Sequence, residues 1–447
     1  MKRLAIIAAA MLFPGPLVAQ TTETVSDSLG QEDLGTLNRI DLIRPDAPEL
    51  AKYGSHPVGV RTFSFTDQGR IDIVNTTEEG EPPTYDRDLT VEVWYPAAPG
   101  TEPGGTYRAL LRDGTTEVTL SGQAARDAAP AAGEFPLVII SHGYPGNRFL
   151  MSHLGENLAP KGYVVASIDH PDSTYDDQTA FPSTLVNRPV DQRLVLDAMA
   201  ALEGDLGPLV DDSRTGVIGY SMGGYGALIF AGGGVTQGAV TRTDPEGLRV
   251  PQDLLARNQA GTETHEALVD PRVQAVVAIG PWGRNRDFWD AEGLAGIEKP
   301  LLLIAGSADD VSEYDSIRRI FDETTGTDRH LLTFEHANHN AAAPIPAPAE
   351  AWRTPLGQEG AVFDHYADAV WDTVRMNNIA QHFATAFLDL HLKGDTARSG
   401  YLSLVEVAEE GVWSTADDGT PNADHSYWRG FPERTAIGLR LETRTAE

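Results

Sequence analysis

The chain has 447 residues, of which 41% are hydrophobic and 8% aromatic, enough for one large globular domain with additions or for two ordinary domains. It carries 34 Lys and Arg against 65 Asp and Glu, and the formal net charge of −31 argues against binding to nucleic acid or anionic lipid head groups. The absence of cysteine excludes disulfides, thiolate metal sites and a cysteine nucleophile.

The first residues have the three parts of an export signal. Lys2 and Arg3 form a short positive region, residues 4–12 form an apolar run, and small residues lead up to a cleavage site at Ala19. The apolar run is too short to span a bilayer, and no other stretch reaches about 18 apolar residues. The sequence therefore predicts a signal peptide at 1–19, cleavage after Ala19, a periplasmic or secreted protein, and no stable membrane anchor.

The region before the core is predicted to contain a lead-in, two strands and an excursion. Residues 20–55 are polar and contain proline, so we expect a loosely held lead-in. Residues 61–65 and 89–95 alternate apolar and polar side chains, which is typical of half-buried antiparallel strands. Residues 97–134 are rich in Gly, Ala, Pro and Thr, and they are predicted to form a long excursion.

The middle of the chain has the pattern of a parallel sheet. Short apolar runs occur at 136–140, 163–168, 216–219, 273–279, 300–304 and 331–334. Strands buried on both faces of a parallel sheet have this pattern. Helices are predicted at 146–160, 189–203, 221–231, 312–322 and 363–393. Strands alternating with helices predict an α/β protein with a mostly parallel, doubly wound sheet of about eight strands and flanking helices.

Two units are predicted after the signal peptide and the lead-in. Residues 56–398 form the main domain, within which the polar segment 233–270 is a candidate lid or insertion. Residues 399–447 form a C-terminal extension that carries several aromatic residues, and we expect it to pack on the domain.

The strongest chemical signal is the G-x-S-x-G motif centred on Ser221. A β-like run ends at the motif and a helix-forming run begins after it, which is the strand–turn–helix arrangement of a nucleophile elbow. The glycines on both sides allow the chain to pass close to neighbouring elements. Ser221 is therefore the predicted nucleophile.

A serine alkoxide needs a histidine base and a carboxylate that orients it, and in this arrangement the chain order is Ser, acid, His. The loop after 300–304 offers Asp309, which we favour, and Asp310 as the alternative. The loop after 331–334 offers His339, which we favour as the base, and His336, which lies closer to the strand end. The two histidines have no third clustered ligand, so no metal is predicted.

An oxyanion hole needs two preset N–H donors. The residue after the nucleophile, Met222, supplies one, and Tyr144 in the loop containing His142 and Gly143 is predicted to supply the other.

The substrate pocket is predicted beside the carboxyl ends of the strands, walled by Tyr144, Trp282 and Phe288, although packing in the core is an equal alternative for Phe288.

A further cluster of polar residues, His170, Asp172 and Asp176, precedes the nucleophile in the chain. That order is wrong for triad partners in this fold, and the cluster is interpreted as structural.

Several segments carry a family resemblance. They are LVIISHGYPGNR, APKGYVVASIDHPDST, GVIGYSMGGYGAL, LLLIAGSADD, ANHN and HFATAFLDLHLKGD. With them the chain resembles, over residues 57–395, an α/β-hydrolase group comprising bacterial predicted dienelactone hydrolases, platelet-activating-factor acetylhydrolases and cutinase-like polyester hydrolases. The resemblance implies the α/β-hydrolase fold, the triad Ser221, Asp309 and His339, and no cofactor. True dienelactone hydrolases use a cysteine nucleophile, and the polyester hydrolases usually carry disulfides, whereas this chain has no cysteine.

The sequence thus predicts a serine carboxylic-ester hydrolase that acts on small or medium acyl esters through an acyl-enzyme. The alternative within the same chemistry is a polyester or phospholipid-type ester hydrolase, so the expected partner is a small-molecule or polymeric ester. A serine peptidase, a non-catalytic binding protein and a metal-dependent enzyme are the other classes considered.

Overall fold

The computed structural model describes residues 38–178, 180–243, 247–353 and 361–447. The predicted signal peptide at 1–19 and the first half of the lead-in lie outside the described residues.

The strands of the described residues form a ten-stranded sheet and a separate hairpin. Their bounds are β1 Val58–Ile71, β2 Thr84–Pro96, β3 Gly105–Leu110, β4 Glu117–Gly122, β5 Ala125–Arg126, β6 Phe135–Ser141, β7 Val164–Asp169, β8 Val210–Tyr220, β9 Val273–Ile279, β10 Leu301–Gly306, β11 Arg329–Phe334 and β12 Leu439–Arg444. The order in the sheet is β12-β11-β10-β9-β8-β6-β7-β2-β1-β5. The central strands from β11 to β7 are parallel, and β12, β2 and β1 extend the sheet with antiparallel pairings.

The helices of the described residues cover both faces of the sheet. Their bounds are α1 Ser152–Leu158, α2 Phe181–Ala200, α3 Met222–Phe230, α4 Gln237–Val240, α5 Glu263–Leu268, α6 Ala291–Ala295, α7 Tyr314–Glu323, α8 Ala361–Asp364 and α9 Thr373–Leu392. One apolar core lies under α1, α9, the β3–β4 hairpin and the C-terminal extension, and the other lies under α2, α3, α6 and α7. Because both faces are covered, the central strands are apolar on both sides, and the predicted fold class is confirmed.

Helix α2 begins at Phe181, eight residues before the predicted start at 189. Proline lacks the N–H that a helix interior needs, so a helix with Pro189 in its interior loses one hydrogen bond. In the structure the helix continues through Pro189, and the carbonyl of Leu185, four residues earlier, accepts from the Tyr225 hydroxyl and the Asn258 side-chain amide, each at 3.1 Å. Outside partners therefore replace the missing helical hydrogen bond.

Two other predicted helices are shorter than expected. The segment predicted at 146–160 becomes helical only at Ser152. The segment predicted at 363–393 is divided into α8 and α9, and α9 begins after Asp372, whose side chain accepts from the N–H of Arg375 at 2.8 Å. A capping aspartate inside an apolar pattern starts a new helix at that point.

The excursion at 97–134 contains the β3–β4 hairpin, which was not predicted. The alternating side chains of Tyr107, Val118 and Leu120 are buried on one face of the hairpin. Each strand is only six residues long, so the alternation is too short to be recognised in a region rich in Gly, Ala, Pro and Thr.

The chain after residue 398 joins the same core. Strand β12 pairs antiparallel with β11, and this edge strand was not predicted. Trp428 and Phe431 are buried against Phe383 of α9, with ring centroids 5.8 and 6.0 Å from the Phe383 ring.

Candidate active site

Ser221 lies in a sharp turn between β8 and α3. Its backbone has φ 51° and ψ −112°, a conformation that residues with a side chain rarely adopt, and such strain is typical of functional sites. The Ser221 N–H donates to the carbonyl of Ile279 at 2.9 Å, which fixes the turn to the neighbouring strand β9. The side chain is therefore held beyond the carboxyl end of the central sheet.

The glycines of the motif are required by close backbone contacts. A Cβ on Gly219 would lie 2.2 Å from the carbonyl oxygen of Gly223, and a Cβ on Gly223 would lie 1.9 Å from that of Ser141. Both distances are far below van der Waals contact, so a side chain at either position would displace Ser221 or the loop after β6.

The structure brings His339 and Asp309 together in the loops after β11 and β10. His339 Nδ1 donates to Asp309 Oδ2 at 2.8 Å, and Asp309 Oδ1 accepts from the N–H groups of Val311 and Ser312 at 2.9 Å each. The Asp309 side chain is fully buried and the His339 side chain is 12% exposed. With the proton on Nδ1, Nε2 is left as the basic nitrogen.

Glycine is also required below this pair. Gly280, at the end of β9, has φ +49°, and a Cβ there would lie 3.2 Å from His339 Nδ1 and 3.3 Å from Asp309 Oδ2. The absence of a side chain lets the two catalytic candidates approach each other.

The alternative residues lie elsewhere. Asp310 is exposed on the rim of the cavity that contains Ser221. His336 is exposed and lines a separate surface depression beside Trp371. Geometry therefore favours Asp309 and His339 over Asp310 and His336.

Ser221 and His339 line one cavity of about 330 Å³. Its other lining residues are Arg112, Tyr144, Pro145, Tyr220, Asp310, Val311, Asn338, Asn340, Asp364 and His365. Arg112, Asp364 and His365 were not predicted as cavity residues, because Arg112 and His365 lie in loops and Asp364 ends the short helix α8, and none of these segments carries a motif. Tyr220 precedes Ser221 and Asn340 follows His339, and this adjacency in the sequence was the only indication that they line the cavity.

Tyr220 supports the histidine from one side. Its ring lies 5.1 Å from the His339 ring, and its hydroxyl donates to Asn340 Oδ1 at 3.1 Å. The Asn340 amide in turn donates to the carbonyl of Ala367 at 2.8 Å. Burial raises the pKa of Tyr220, so its hydroxyl stays protonated and remains a hydrogen-bond donor.

The predicted oxyanion donors, Met222 and Tyr144, both belong to segments close to Ser221. Met222 is the first residue of α3, where the helix leaves its leading N–H groups without intrahelical acceptors. Tyr144 lines the cavity with Ser221, and its N–H has no acceptor among the described residues. A Cβ on the adjacent Gly143 would lie 3.3 Å from the Ser221 Cβ, which shows how closely this loop approaches the nucleophile.

The predicted pocket walls need correction. Phe288 is fully buried and does not line the cavity, so it packs in the core. Trp282 lies behind the lining residues, with its ring centroid 5.3 Å from Phe288 and 5.4 Å from Phe181. Phe181 stacks edge-on against Tyr144 at 4.9 Å, so Tyr144 is the member of this aromatic row that reaches the cavity.

The cluster of His170, Asp172 and Asp176 does not reach the cavity either. His170 Nδ1 donates to Asp191 at 3.0 Å, and its Nε2 accepts from the Ser141 hydroxyl at 2.8 Å. Burial lowers the pKa of His170 to about 3, so the ring is neutral at ordinary pH. These contacts support the structural interpretation of the cluster.

Asp172 forms an ion pair with Arg87 at 2.8 Å, and Asp176 accepts from the Thr174 hydroxyl at 2.8 Å.

Within the described residues, no group of three or more His, Asp or Glu side chains is arranged to hold a metal ion. No helix in the described part of the chain has the length and apolar character needed to cross a membrane.

Comparisons with known proteins find similarity to ester hydrolases. Residues 122–245 match the family described as PETase, PET hydrolase-like. A cutinase of Thermobifida alba is 26% identical over 206 residues, which cover 46% of this chain and 53% of the cutinase. A bis(hydroxyethyl) terephthalate hydrolase of Streptomyces coelicolor is 24% identical over 212 residues, which cover 46% of this chain and 51% of that enzyme. The chain thus spans about half the length of these relatives.

A ferulic acid esterase of Streptomyces cinnamoneus, a solved structure, matches with a TM-score of 0.53 and 23% sequence identity. The match covers 78% of this chain and 94% of that one. At this identity the likeness shows the fold, and the α/β-hydrolase fold implied by the resemblance is confirmed.

Proposed function

We propose that this chain, an α/β hydrolase similar to cutinases and polyester hydrolases, cleaves small and medium carboxylic esters through an acyl-enzyme on Ser221. The observation that carries the proposal is one cavity that contains a serine in a strained turn and a histidine fixed by a buried aspartate. A hydroxyl, a base and an orienting carboxylate in this relation are the parts of a serine hydrolase triad.

The proposed reaction has two halves. Ser221 Oγ attacks the ester carbonyl while His339 Nε2 takes its proton, and Asp309 stabilises the imidazolium that results. The N–H groups of Tyr144 and Met222 hold the negative oxygen, each contributing about 3 kcal/mol to the transition state. The alcohol leaves with the proton from His339, and a water molecule activated by His339 then releases the acid.

The cavity bounds the substrate. A volume of about 330 Å³ lies at the low end of the range for small-molecule sites, which favours short and medium acyl groups.

Polymeric esters are the second candidate. The segment 122–245, which matches the PET hydrolase-like family, contains both the nucleophile turn and the predicted oxyanion loop. Val311 is 49% exposed on the cavity rim and offers an apolar contact to a chain lying across the opening. The same reaction would then cleave an ester within a polymer.

The first test is hydrolysis of p-nitrophenyl esters from acetate to decanoate by the wild type and by Ser221→Ala. We expect activity that is greatest for short chains and is lost in the variant, while Ser213→Ala, an exposed serine, serves as the matched control. Full activity in Ser221→Ala would refute the mechanism.

Bis(hydroxyethyl) terephthalate and a polyester film, offered to the same proteins, separate the two substrate classes. Release of product from the film by the wild type but not by Ser221→Ala supports the polymeric alternative. Release from the soluble ester alone limits the activity to small esters.

The proposal includes export. The charged start and apolar run at the N-terminus support removal of residues 1–19. Intact-mass measurement of the protein recovered from the periplasm or medium of a bacterial host should give a chain that starts at Gln20, and an unprocessed chain would contradict it.

A further inference from the structure

Arg188, on α2, lies buried behind the predicted oxyanion loop with 1% of its surface exposed. Its Nη1 donates to the carbonyl of His142, and its Nη2 donates to the carbonyl of Gly143 at 2.9 Å. Nη2 also donates to the Ser173 hydroxyl at 2.7 Å. The guanidinium therefore holds two consecutive carbonyls of the loop that leads to Tyr144.

The Gly143 carbonyl is the key contact, because it belongs to the same peptide unit as the N–H of Tyr144. His142 Nδ1 donates to this carbonyl as well, at 2.7 Å. In a trans peptide the C=O and N–H bonds point in opposite directions. The Arg188 guanidinium and His142 Nδ1 hold the Gly143 carbonyl oxygen on the buried side of this peptide. The Tyr144 N–H is thus directed to the opposite side, where Tyr144 lines the cavity with Ser221.

The positive charge of Arg188 has no ion-pair partner among the described residues. Asp191, three residues later on α2, is engaged by Arg87 at 2.9 Å and Arg70 at 3.0 Å. Burial lowers the pKa of Arg188 to about 9, which still leaves it charged at neutral pH. A charged donor on a peptide oxygen forms a strong hydrogen bond and polarises the peptide, which makes its N–H a better donor.

We infer that Arg188 is a positioning residue that orients and polarises the Gly143–Tyr144 peptide of the oxyanion hole. It does not touch the substrate, and it acts only through this peptide. The inference deepens the proposed ester hydrolysis at Ser221 and rests on it.

The test compares Arg188→Met, which removes the charge and the donors, with Arg188→Lys, which keeps the charge. Arg193→Met, on the same helix but partly exposed and paired with Asp197 at 3.0 Å, is the matched control. For each protein we would measure kcat and KM for p-nitrophenyl butyrate and the Ki of an alkyl boronic acid. The boronic acid forms a tetrahedral adduct on Ser221 that places an oxygen in the oxyanion hole.

In Arg188→Met we expect kcat and the affinity for the boronic acid to fall together by about 100-fold, with KM nearly unchanged. Arg188→Lys should recover part of the loss, and Arg193→Met should match the wild type. A merely structural role would lower the titratable fraction of active enzyme, counted with a fluorophosphonate, without this parallel loss per active site.

Two results would overturn the inference. One is an unchanged kcat in Arg188→Met, whether or not KM rises, and the other is a loss of kcat without loss of boronic acid affinity.

If Arg188→Met shows no cooperative unfolding and is therefore not folded, Ser173→Ala provides the test. This variant removes one contact of the Arg188 guanidinium and leaves its charge. A roughly tenfold parallel fall in kcat and boronic acid affinity supports the inference, and no change overturns it. A wild type without Ser221-dependent hydrolysis refutes the proposed function, and the inference with it. If hydrolysis by the wild type depends on Ser221 and Arg188→Met is fully active, the inference is refuted and the proposed function is not.

Discussion

Replacing Asp309 by asparagine tests the orientation of the proposed base most directly. In the wild type, Asp309 Oδ1 accepts from two backbone N–H groups at 2.9 Å, and Oδ2 accepts from His339 Nδ1 at 2.8 Å. In Asp309→Asn the amide oxygen must keep the two backbone donors, so the amide NH₂ replaces Oδ2 and faces Nδ1. Two donors cannot face each other, and His339 therefore changes to the tautomer with its proton on Nε2.

In that tautomer His339 cannot accept the proton of Ser221. A serine hydrolase with the wrong tautomer loses about 10⁴-fold in kcat, which corresponds to about 5 kcal/mol of transition-state stabilisation. We expect this loss in Asp309→Asn with KM nearly unchanged, because the carboxylate does not line the cavity.

The assay is steady-state hydrolysis of p-nitrophenyl butyrate, with thermal unfolding to show that the variant is folded. Asp310→Asn is the matched control, since it changes an exposed carboxylate one residue away on the cavity rim. It should change kcat by less than about tenfold. The reasoning is refuted if Asp310→Asn shows the large loss and Asp309→Asn does not.

Three further changes test the site and the core. Gly280→Ala places a Cβ 3.2 Å from His339 Nδ1 at a φ of +49°, so kcat should fall and the variant should lose about 1–2 kcal/mol of unfolding free energy, measured by urea titration. Burial lowers the pKa of His382 to about 3. Between pH 6.5 and 3 the unfolded histidine therefore takes up a proton that the folded one does not, and the free energy of unfolding decreases as the pH is lowered through this range. His382→Asn keeps a hydrogen-bond acceptor but does not titrate, so its Tm should fall less than that of the wild type between pH 7 and pH 4. An equal fall of Tm in both proteins would show that His382 does not cause the loss of stability. Trp428→Ala should cost about 3–5 kcal/mol, since Trp428 is 1% exposed, while Trp413→Ala, at a position 39% exposed, should cost far less.

The parallel sheet could be predicted because its information is local. Each central strand is a short run that is buried on both faces, as in β10, whose six residues are all buried. The nucleophile turn could be predicted for the same reason, since the glycines and Ser221 lie within one short motif. The roles of Ser221, Asp309 and His339 remain predictions, and the geometry favours them.

The errors come from contacts between distant segments. Strand β12 was missed because its partner, β11, lies more than a hundred residues earlier in the chain. For Phe288 a pocket wall and core packing were equal alternatives, and its ring packs against Tyr225, 5.6 Å away, inside the core. The side chains of Arg112 and His365 reach the cavity from loops whose positions only the folded chain defines.

The candidate lid makes contacts of this kind with helix α2. Residues 233–270 were predicted to cover the site or decorate the surface, yet none of their described residues lines the cavity. Instead, Asn258 donates to the Leu185 carbonyl that Pro189 leaves without a helical partner, and Tyr225 of α3 donates to the same oxygen. These two donors let α2 continue through the proline.

Arg188 directly precedes that proline, so its position behind the oxyanion loop depends on the helix being continuous there. Tyr225 lies on the helix that begins immediately after Ser221. The Leu185 carbonyl thus connects three parts of the chain: the helix that follows Ser221, the helix that carries Arg188, and the candidate lid or insertion. Because Asn258 helps to fix α2, we expect substitutions at Asn258 to lower kcat through Arg188, although Asn258 does not line the cavity.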